Sequence, residues 1–220
     1  MTEPVATETL YFQKSFPVGP LGCNCTILGN TQTGEAIVVD PGGDVDKILQ
    51  ILQNAGLNKV VSILHTHAHF DHFLASGELH EKTGAPLCLH KEDKPLWDIL
   101  ERQCAMFNIP YQPVPEPHQW LSHQETVSAG DLTGEALWTP GHTPGSMSFH
   151  FPQLKLVLAG DTLFRRSIGR TDLWGGNTNQ LMASIRQQLY VLDESTIVVS
   201  GHGRATSIGE ELRENPFCPA

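Results

Sequence analysis

The sequence predicts an α/β sandwich, in which two sheets lie face to face and helices cover their outer sides. Short apolar runs typical of strands alternate along the chain with segments of helical periodicity. Both halves of the chain also follow one order, with strand hairpins first and strand–loop–helix units after them. Because no linker separates the halves, we expect residues 1–220 to form a single domain.

The first half begins with a predicted hairpin, whose strands cover residues 25–28 and 36–39. Asp44 is the expected N-cap of a helix with apolar residues at i, i+3, i+4 and i+7, and Gly56 is its expected stop. The following elements are a buried strand at 60–64, a helix through 79, a strand at 85–89, a helix at 95–107 and a proline-rich loop at 109–117. This loop either covers a binding site or is a plain solvent loop.

The second half repeats this style. A hairpin is predicted from residues 126–127 and 135–138, and the strand at 146–151 places Met147, Phe149 and Phe151 on one face. A buried strand at 156–159, a helix at 179–192, a last strand at 196–200 and a terminal helix at 208–215 complete the prediction. The strands of the two halves therefore suffice for two sheets.

Composition and charge exclude several classes of protein. With 40% apolar and 17% charged residues the chain is neither disordered nor a coiled coil. A formal charge of −10 argues against binding to a nucleic-acid backbone. The apolar runs fall far short of the roughly 20 residues that span a bilayer, and the N-terminal segment shows no secretory signal. We therefore expect a cytoplasmic protein that acts on neither nucleic acid nor membranes.

The five cysteines are odd in number and irregular in spacing. Such a set is typical of reduced thiols, buried or idle, in a reducing compartment. A structural zinc site made from these cysteines is not expected.

The strongest local signal is the run HTHAHFDH over residues 65–72, directly after a predicted buried strand. Alternate residues of an extended segment share a face, so His67 and His69 can point the same way. Asp71 and His72 follow where the chain enters a helix, and their side chains diverge around its axis. One loop can therefore supply ligands to two adjacent metal ions.

Two metal sites need further ligands, and three candidates lie downstream in the same setting. His142, Asp161 and His202 each follow a predicted strand and stand beside glycine in a tight turn. Each signal alone is weak, because a Gly-His pair is more often only a turn. Together with the first cluster they indicate a metal-binding protein.

The motifs T-H-x-H-x-D-H, G-H-T-P-G, G-D and G-H-G, in this order, resemble the pattern of the metallo-β-lactamase superfamily. Within it the chain is similar to the glyoxalase II-like hydrolases, especially their short bacterial type without the C-terminal helical domain. Further matches are VDPGG at 39–43, GDTLF at 160–164 and GRTD at 169–172. The resemblance implies a four-layer αβ/βα sandwich of the metallo-β-lactamase type.

The resemblance also implies a ligand set. His67, His69 and His142 would hold one ion, Asp71, His72 and His202 the other, and Asp161 both. Asp71 and Asp161 are accordingly the predicted catalytic carboxylates. The implied cofactors are two divalent ions, with zinc favoured and iron or manganese as alternatives.

Other residues are expected around the metals. Asp40 resembles a strand-end aspartate that supports the ligand loop, and His65 is expected to support that loop or to be structural rather than a ligand. Arg170 occupies the region where the family binds a substrate carboxylate, although pairing with Asp172 would equally explain it. Arg165 and Arg166 are weaker candidates for contact with an anionic substrate.

The implied function is hydrolysis of a thioester by a metal-bridging hydroxide, with S-lactoylglutathione or a related hydroxyacylglutathione as substrate. The missing C-terminal domain predicts weak selectivity for glutathione. Asp161, at the strand end where β-lactamases commonly place a Cys, points away from that branch. The alternatives are a mononuclear iron persulfide dioxygenase, which shares the G-R-T-D run, and a non-catalytic metal-binding module.

Overall fold

A computed structural model describes residues 10–219, and the chain forms two six-stranded sheets packed face to face. Residues 1–9, which carry part of the expectation about a secretory signal, lie outside the described residues. The strands of the first sheet, in spatial order, are β1 (Tyr11–Val18), β2 (Cys23–Asn30), β3 (Glu35–Val39), β4 (Lys59–Leu64), β5 (Leu87–His90) and β6 (Gln119–Leu121). Strands β1 to β3 pair antiparallel, and β3 to β6 pair parallel.

The second sheet is built from the other half of the chain. Its region comprises β7 (Glu125–Ala129), β8 (Leu132–Trp138), β9 (Met147–Phe151), β10 (Leu156–Gly160), a small ribbon of β11 (Leu163–Phe164) and β12 (Ser167–Ile168), then β13 (Ile197–Ser200) and β14 (Thr206–Ser207). The spatial order is β14-β13-β10-β9-β8-β7, and β10 and β13 are its parallel pair. Each half of the chain therefore makes one sheet.

Helices cover the outer faces of both sheets. They are α1 (Val45–Asn54), α2 (Ser76–Thr83), α3 (Lys94–Trp97) and α4 (Leu100–Met106) on the first sheet, and α5 (Thr178–Ser184) and α6 (Ile208–Glu214) on the second. A central apolar cluster joins the inner faces, where Ile37 and Leu64 meet Phe149 and Phe151. This arrangement confirms the predicted four-layer sandwich.

Two helix predictions need correction. The segment predicted as one helix at 95–107 is two short helices, because the backbone leaves helical geometry at Ile99 (φ −107°, ψ 19°). The helix predicted at 179–192 is α5 followed by a π-helical turn over Ile185–Leu189.

Asp44 stands at the predicted N-cap position of α1, but its side chain does not cap the helix. Asp44 adopts a left-handed backbone (φ 55°), and its side chain makes no bond to the start of α1. Its carboxylate instead accepts a hydrogen bond from the backbone N–H of Gly19 at 3.1 Å, and so joins the start of α1 to the turn before β2.

Two edge strands, β1 and β14, were not predicted from the sequence. In β1 only Phe16 and Val18 are buried, so the strand lacks the apolar run that marks a buried strand. The strand predicted as the last one is followed by β14, which has two residues. Short or polar edge strands avoid unwanted pairing with other chains, and for the same reason they give weak sequence signals.

The topology brings several strand ends together. Strands β3 and β4 run parallel, as do β10 and β13, so each pair ends at the same edge of its sheet. Six of the predicted metal-binding residues follow β4, β10 or β13, and the seventh, His142, follows β8. Among the described residues, no helix is both long and apolar enough to cross a membrane.

Candidate metal centre

Three histidines form the first group of the site. His67 and His69 come from the loop after β4, and His142 comes from the loop after β8. The ring centroids of His67 and His69 are 4.8 Å apart, and the ring of His142 lies 4.7 Å from each. His142 Nε2 and His69 Nδ1 are separated by 2.9 Å. The structure therefore brings three imidazoles from two distant segments together around one point.

A second group lies beside the first. Asp71 and His72 belong to a 3₁₀ turn over Phe70–His72, and His202 follows β13. His202 Nε2 is 3.1 Å from Asp71 Oδ2, and His72 Nε2 is 3.8 Å from the same oxygen. One carboxylate and two imidazoles therefore share a second point.

Asp161 connects the two groups. It follows β10, and its Oδ1 lies 3.6 Å from His72 Nε2 while its Oδ2 lies 3.7 Å from His142 Nε2. Gly201 lets the chain pass close by, because a Cβ there would lie 2.0 Å from Asp161 Oδ1. The seven side chains form one continuous site across both sheets.

Unsatisfied polar atoms test whether this site fits metal ions. Within residues 10–219, three buried side-chain atoms have no hydrogen-bond partner, and they are His67 Nε2, His72 Nε2 and Asp161 Oδ1. Leaving such atoms unpaired in a protein interior is costly. All three belong to the seven side chains described above. Divalent cations would satisfy these atoms, so the residues present fit a metal-bound site.

The electrostatics of the site also suit metal binding. Burial holds the pKa of His67 well below its usual value and, with the nearby His142, lowers that of His69 to about 3. Both imidazoles are therefore neutral at pH 7 and keep a lone pair for a metal. Burial opposes ionisation of Asp71, but His72 and His202 outweigh it and hold its pKa well below the usual range. Asp71 is a carboxylate at any physiological pH.

Asp40 supports the ligand loop from behind. Its Oδ2 lies 3.0 Å from His72 Nδ1, which places that ring nitrogen as the donor and leaves Nε2 free for a ligand role. The same carboxylate accepts hydrogen bonds from the Thr66 N–H at 2.8 Å and the Thr66 hydroxyl at 2.7 Å. On the other side of the site, His142 Nδ1 lies 2.8 Å from the carbonyl oxygen of Arg170.

His65 is buried and faces the helices that cover the first sheet rather than the metal groups. Its ring nitrogens lie 2.9 Å from the Cys88 carbonyl oxygen and 2.8 Å from the Ser76 hydroxyl. The ring packs edge-on against Phe73 and Trp97. Of the two expectations for His65, these contacts favour the structural one.

Asp93 joins the two loops that carry the first group, and no local pattern in the sequence indicates this role. This buried carboxylate accepts hydrogen bonds from Ala68 N–H at 2.9 Å, Thr143 hydroxyl at 2.8 Å and Gly145 N–H at 2.6 Å. Burial raises the pKa of Asp93 to about 6, although these donors act in the opposite direction. At pH 7 it is mainly ionised and bonded to both loops.

Gln103 of α4 holds the first loop from the outer side. Its amide nitrogen donates to the carbonyls of Ala68 and Leu96, and its oxygen accepts from the Phe70 N–H at 3.1 Å. A lone Gln or Asp in a helical segment carries no local signal of such a role. Only the packing of α3 and α4 against the ligand loop reveals it.

The described cysteines are all buried and free, as the sequence predicted. Cys23 comes nearest to the site, with its sulfur 3.5 Å from His72 Nδ1. Burial raises the pKa of the Cys23 thiol to about 12, so it remains protonated. A protonated thiol is a poor nucleophile.

A cavity of about 390 Å³ opens above the candidate metal-binding residues. Its floor contains His69, Asp71, His142, Asp161 and His202. Its wall is formed chiefly by apolar side chains from four segments, namely Leu21, Phe70, Leu96, Ile99, Met106, Phe107, Leu173 and Trp174. The proline-rich segment 109–117 contributes no residue to this lining.

The arginines differ in position. Arg170 lines the cavity, and its guanidinium forms two 2.8 Å hydrogen bonds to Asp172. This pairing lowers the pKa of Asp172 to about 2. The structure does not bring Arg165 and Arg166 to the cavity, because they pair with Glu210 and Glu214 of α6. The expected substrate contacts of these two residues are therefore not supported.

Comparisons with known proteins agree with this arrangement. The family model of the metallo-beta-lactamase superfamily matches residues 18–202. Over 203 residues the chain is 35% identical to the hydroxyacylglutathione hydrolase GloC of Haemophilus influenzae, which covers 91% of this chain and 95% of GloC.

Two crystal structures are similar across nearly the whole chain. BLEG-1, a B3 metallo-beta-lactamase, has a TM-score of 0.87 at 36% identity, and the match covers 95% of this chain and 100% of BLEG-1. A di-iron-bound form of the protein TTHA1623 has a TM-score of 0.83 at 35% identity, covering 94% and 99% of the two chains.

Proposed function

The chain belongs to the metallo-beta-lactamase superfamily, and on this premise we propose that it is a dinuclear metallo-hydrolase that cleaves thioesters. S-lactoylglutathione or a related hydroxyacylglutathione is the proposed substrate, which the similarity to GloC supports. The observation that carries the proposal is the position of Asp161, whose two oxygens face different histidine groups. A carboxylate so placed can bind two ions at once.

Each ion has a proposed set of ligands. His67, His69 and His142 would hold one ion, Asp71, His72 and His202 the other, and Asp161 both. Zinc suits imidazole and carboxylate ligands. Iron is a direct alternative, because the similar protein TTHA1623 was crystallised in a di-iron form. The five free cysteines favour a reducing compartment, so the cytoplasm is the proposed location.

Divalent ions bound here would lower the pKa of a water molecule toward 7 and polarise a substrate carbonyl. The chain's own residues orient the side chains that would bind these ions. His72 is oriented by Asp40, and His142 by the Arg170 carbonyl, so the Nε2 atoms of both imidazoles hold fixed positions within the site. The leaving group of a thioester is a thiolate, which needs little protonation, so no acid has to stand beside the sulfur.

Hydrolysis of β-lactams is the second candidate function. The sequence pointed away from it, but BLEG-1 is 36% identical and shares the fold closely. Both reactions add water to an acyl carbon, and they differ in the substrate that the cavity admits. Persulfide dioxygenase activity is the alternative from another reaction class. That reaction requires one iron with open positions rather than two ions.

One set of assays on the metal-loaded protein separates these candidates. Thiol release from S-lactoylglutathione, oxygen uptake with glutathione persulfide, and ring opening of a chromogenic cephalosporin are measured side by side, with metal content determined by elemental analysis. We expect thiol release without oxygen uptake and two ions per chain. Oxygen uptake with persulfide, together with a single iron and no thioester cleavage, would identify a dioxygenase instead.

A further inference from the structure

The cavity wall differs in chemistry from its floor. Leu21, Met106, Phe107, Leu173 and Trp174 all line the cavity, and all are exposed. Phe107 and Trp174 are each 56% accessible, although such large apolar side chains are usually buried. Exposed apolar side chains gathered around one cavity mark a binding surface rather than scattered surface residues.

Charge on this wall does not suit a strongly anionic group. Among the described residues that line the cavity, Arg170 is the one with a permanent positive charge. Its guanidinium is already bonded twice to Asp172. Each carboxylate of a glutathione moiety placed against this wall would therefore lose water without gaining an unpaired cation.

The wall rises directly from the metal-binding floor. Phe70 of the wall immediately precedes Asp71 of the floor, and Leu173 and Trp174 follow Arg170, whose carbonyl orients His142. A substrate whose scissile carbonyl lies on the floor must place one of its two substituents along the wall. That substituent then meets carbon atoms on several sides.

We infer that this wall binds an apolar group next to the scissile bond, so that alkyl or aryl thioesters are cleaved faster than S-lactoylglutathione. This inference rests on the proposed thioester hydrolysis. The apolar group belongs either to the acyl part or to the thiol part of the substrate, since each is bonded to the reacting carbonyl. Burying each further methylene is expected to raise kcat/KM roughly three- to fourfold until the cavity is full.

Two series of substrates test the inference. The first holds glutathione constant and varies the acyl group from acetyl to octanoyl, with D-lactoyl as reference. The second holds acetyl constant and replaces glutathione by ethanethiol and hexanethiol. A rise of kcat/KM along the first series places the apolar group in the acyl part, and a rise along the second places it in the thiol part.

Binding is measured separately from catalysis. S-alkylglutathiones are thioethers that cannot be hydrolysed, and calorimetry gives their Kd from S-methyl to S-octyl. We expect Kd to fall with chain length and the heat capacity change to become more negative, as apolar burial requires. This series reports on the wall even if no thioester is cleaved.

Variants assign the effect to the wall. Phe107→Ala and Trp174→Ala should flatten the dependence on chain length in both measurements. Phe217→Ala is the matched control, because Phe217 is equally exposed (58%) but does not line the cavity. It should leave the dependence unchanged.

The outcomes separate this inference from the proposed function. If thioesters are cleaved but kcat/KM and Kd are flat along every series, the apolar site is refuted and the hydrolase stands. If no thioester is cleaved, the proposed function fails. If Phe217→Ala changes the dependence as much as Trp174→Ala does, the effect does not arise at this wall and the inference is again refuted.

Discussion

The floor and the wall of the cavity are held in different ways. On the floor, Asp71 and His142 are buried, and the carbonyl oxygen of Arg170 fixes the ring of His142. On the wall, Phe107 and Trp174 expose more than half of their surface. A buried side chain with a bonded partner has one orientation, whereas an exposed apolar side chain can be exchanged at small cost. Chemistry therefore depends on the floor, and the choice of substrate can change through the wall.

The largest effect is expected at the centre of the floor. Asp161→Ala removes the carboxylate that faces both groups, so metal content and thioesterase activity should fall together. The loss should exceed the about 10–100-fold that is usual for removing a partner of a ligand. Elemental analysis and initial rates measure it. Asp46→Ala, at a highly exposed aspartate on α1, is the control. Retention of both ions by Asp161→Ala would contradict the proposed ligand set.

A smaller effect is expected one step behind the floor. Asp93→Asn keeps the shape of the side chain but turns one acceptor into a donor facing a backbone N–H. The two ligand loops should lose their common anchor, and metal affinity should drop about 10–100-fold. Competition with a chromogenic chelator measures this affinity. Asp98→Asn, on the exposed side of the same segment, should have no such effect. Equal metal affinity in both variants would show that Asp93 does not position the loops.

A substitution at His65 tests whether the metal site depends on contacts with the covering helices. His65→Ala removes two hydrogen bonds and the packing against Phe73 and Trp97. We expect a loss of about 2–4 kcal/mol in the free energy of unfolding. The number of bound ions should stay the same. Denaturant titration and elemental analysis give the two quantities. A variant that is stable but empty of metal would show that His65 supports the ligand loop.

The smallest effect is expected at the rim of the wall. Arg170 and Asp172 are both largely exposed, so Arg170→Gln should leave the melting temperature unchanged. If the guanidinium also contacts a substrate carboxylate, KM for glutathione thioesters should rise about two- to fivefold. Arg165→Gln is the control, because Arg165 pairs with Glu210 away from the cavity. A similar KM in all three proteins would mean that Arg170 only braces its own loop.

Much of the site could be predicted because its signal is local. The spacing of His67, His69, Asp71 and His72 follows from the geometry of an extended segment that enters a turn. His142, Asp161 and His202 each stand at a strand end beside glycine, so their setting was visible as well. The structure brings all seven side chains together.

Other parts could not be predicted because they depend on contacts between distant segments. Asp93 lies 25 residues from Ala68 and 52 from Gly145, and it bonds to both. Arg165 was predicted to contact the substrate, but in the structure it pairs with Glu210 of α6. The helix predicted at 95–107 has the right composition, yet it breaks at Ile99, and Gln103 in its second part holds the ligand loop.

By itself, the sequence predicted the α/β class, the two sheets and the seven side chains that the structure brings together in the proposed metal site. Hydrophobic periodicity and ligand spacing are properties of short segments, so they can be recognised without knowledge of the fold. The tertiary structure alone decided which buried groups hold the ligands and which side chains form the wall above them. Those assignments arise where α3, α4 and the loop after β12 meet the metal-binding loops, and a chain carries no local record of which distant residues will pack together.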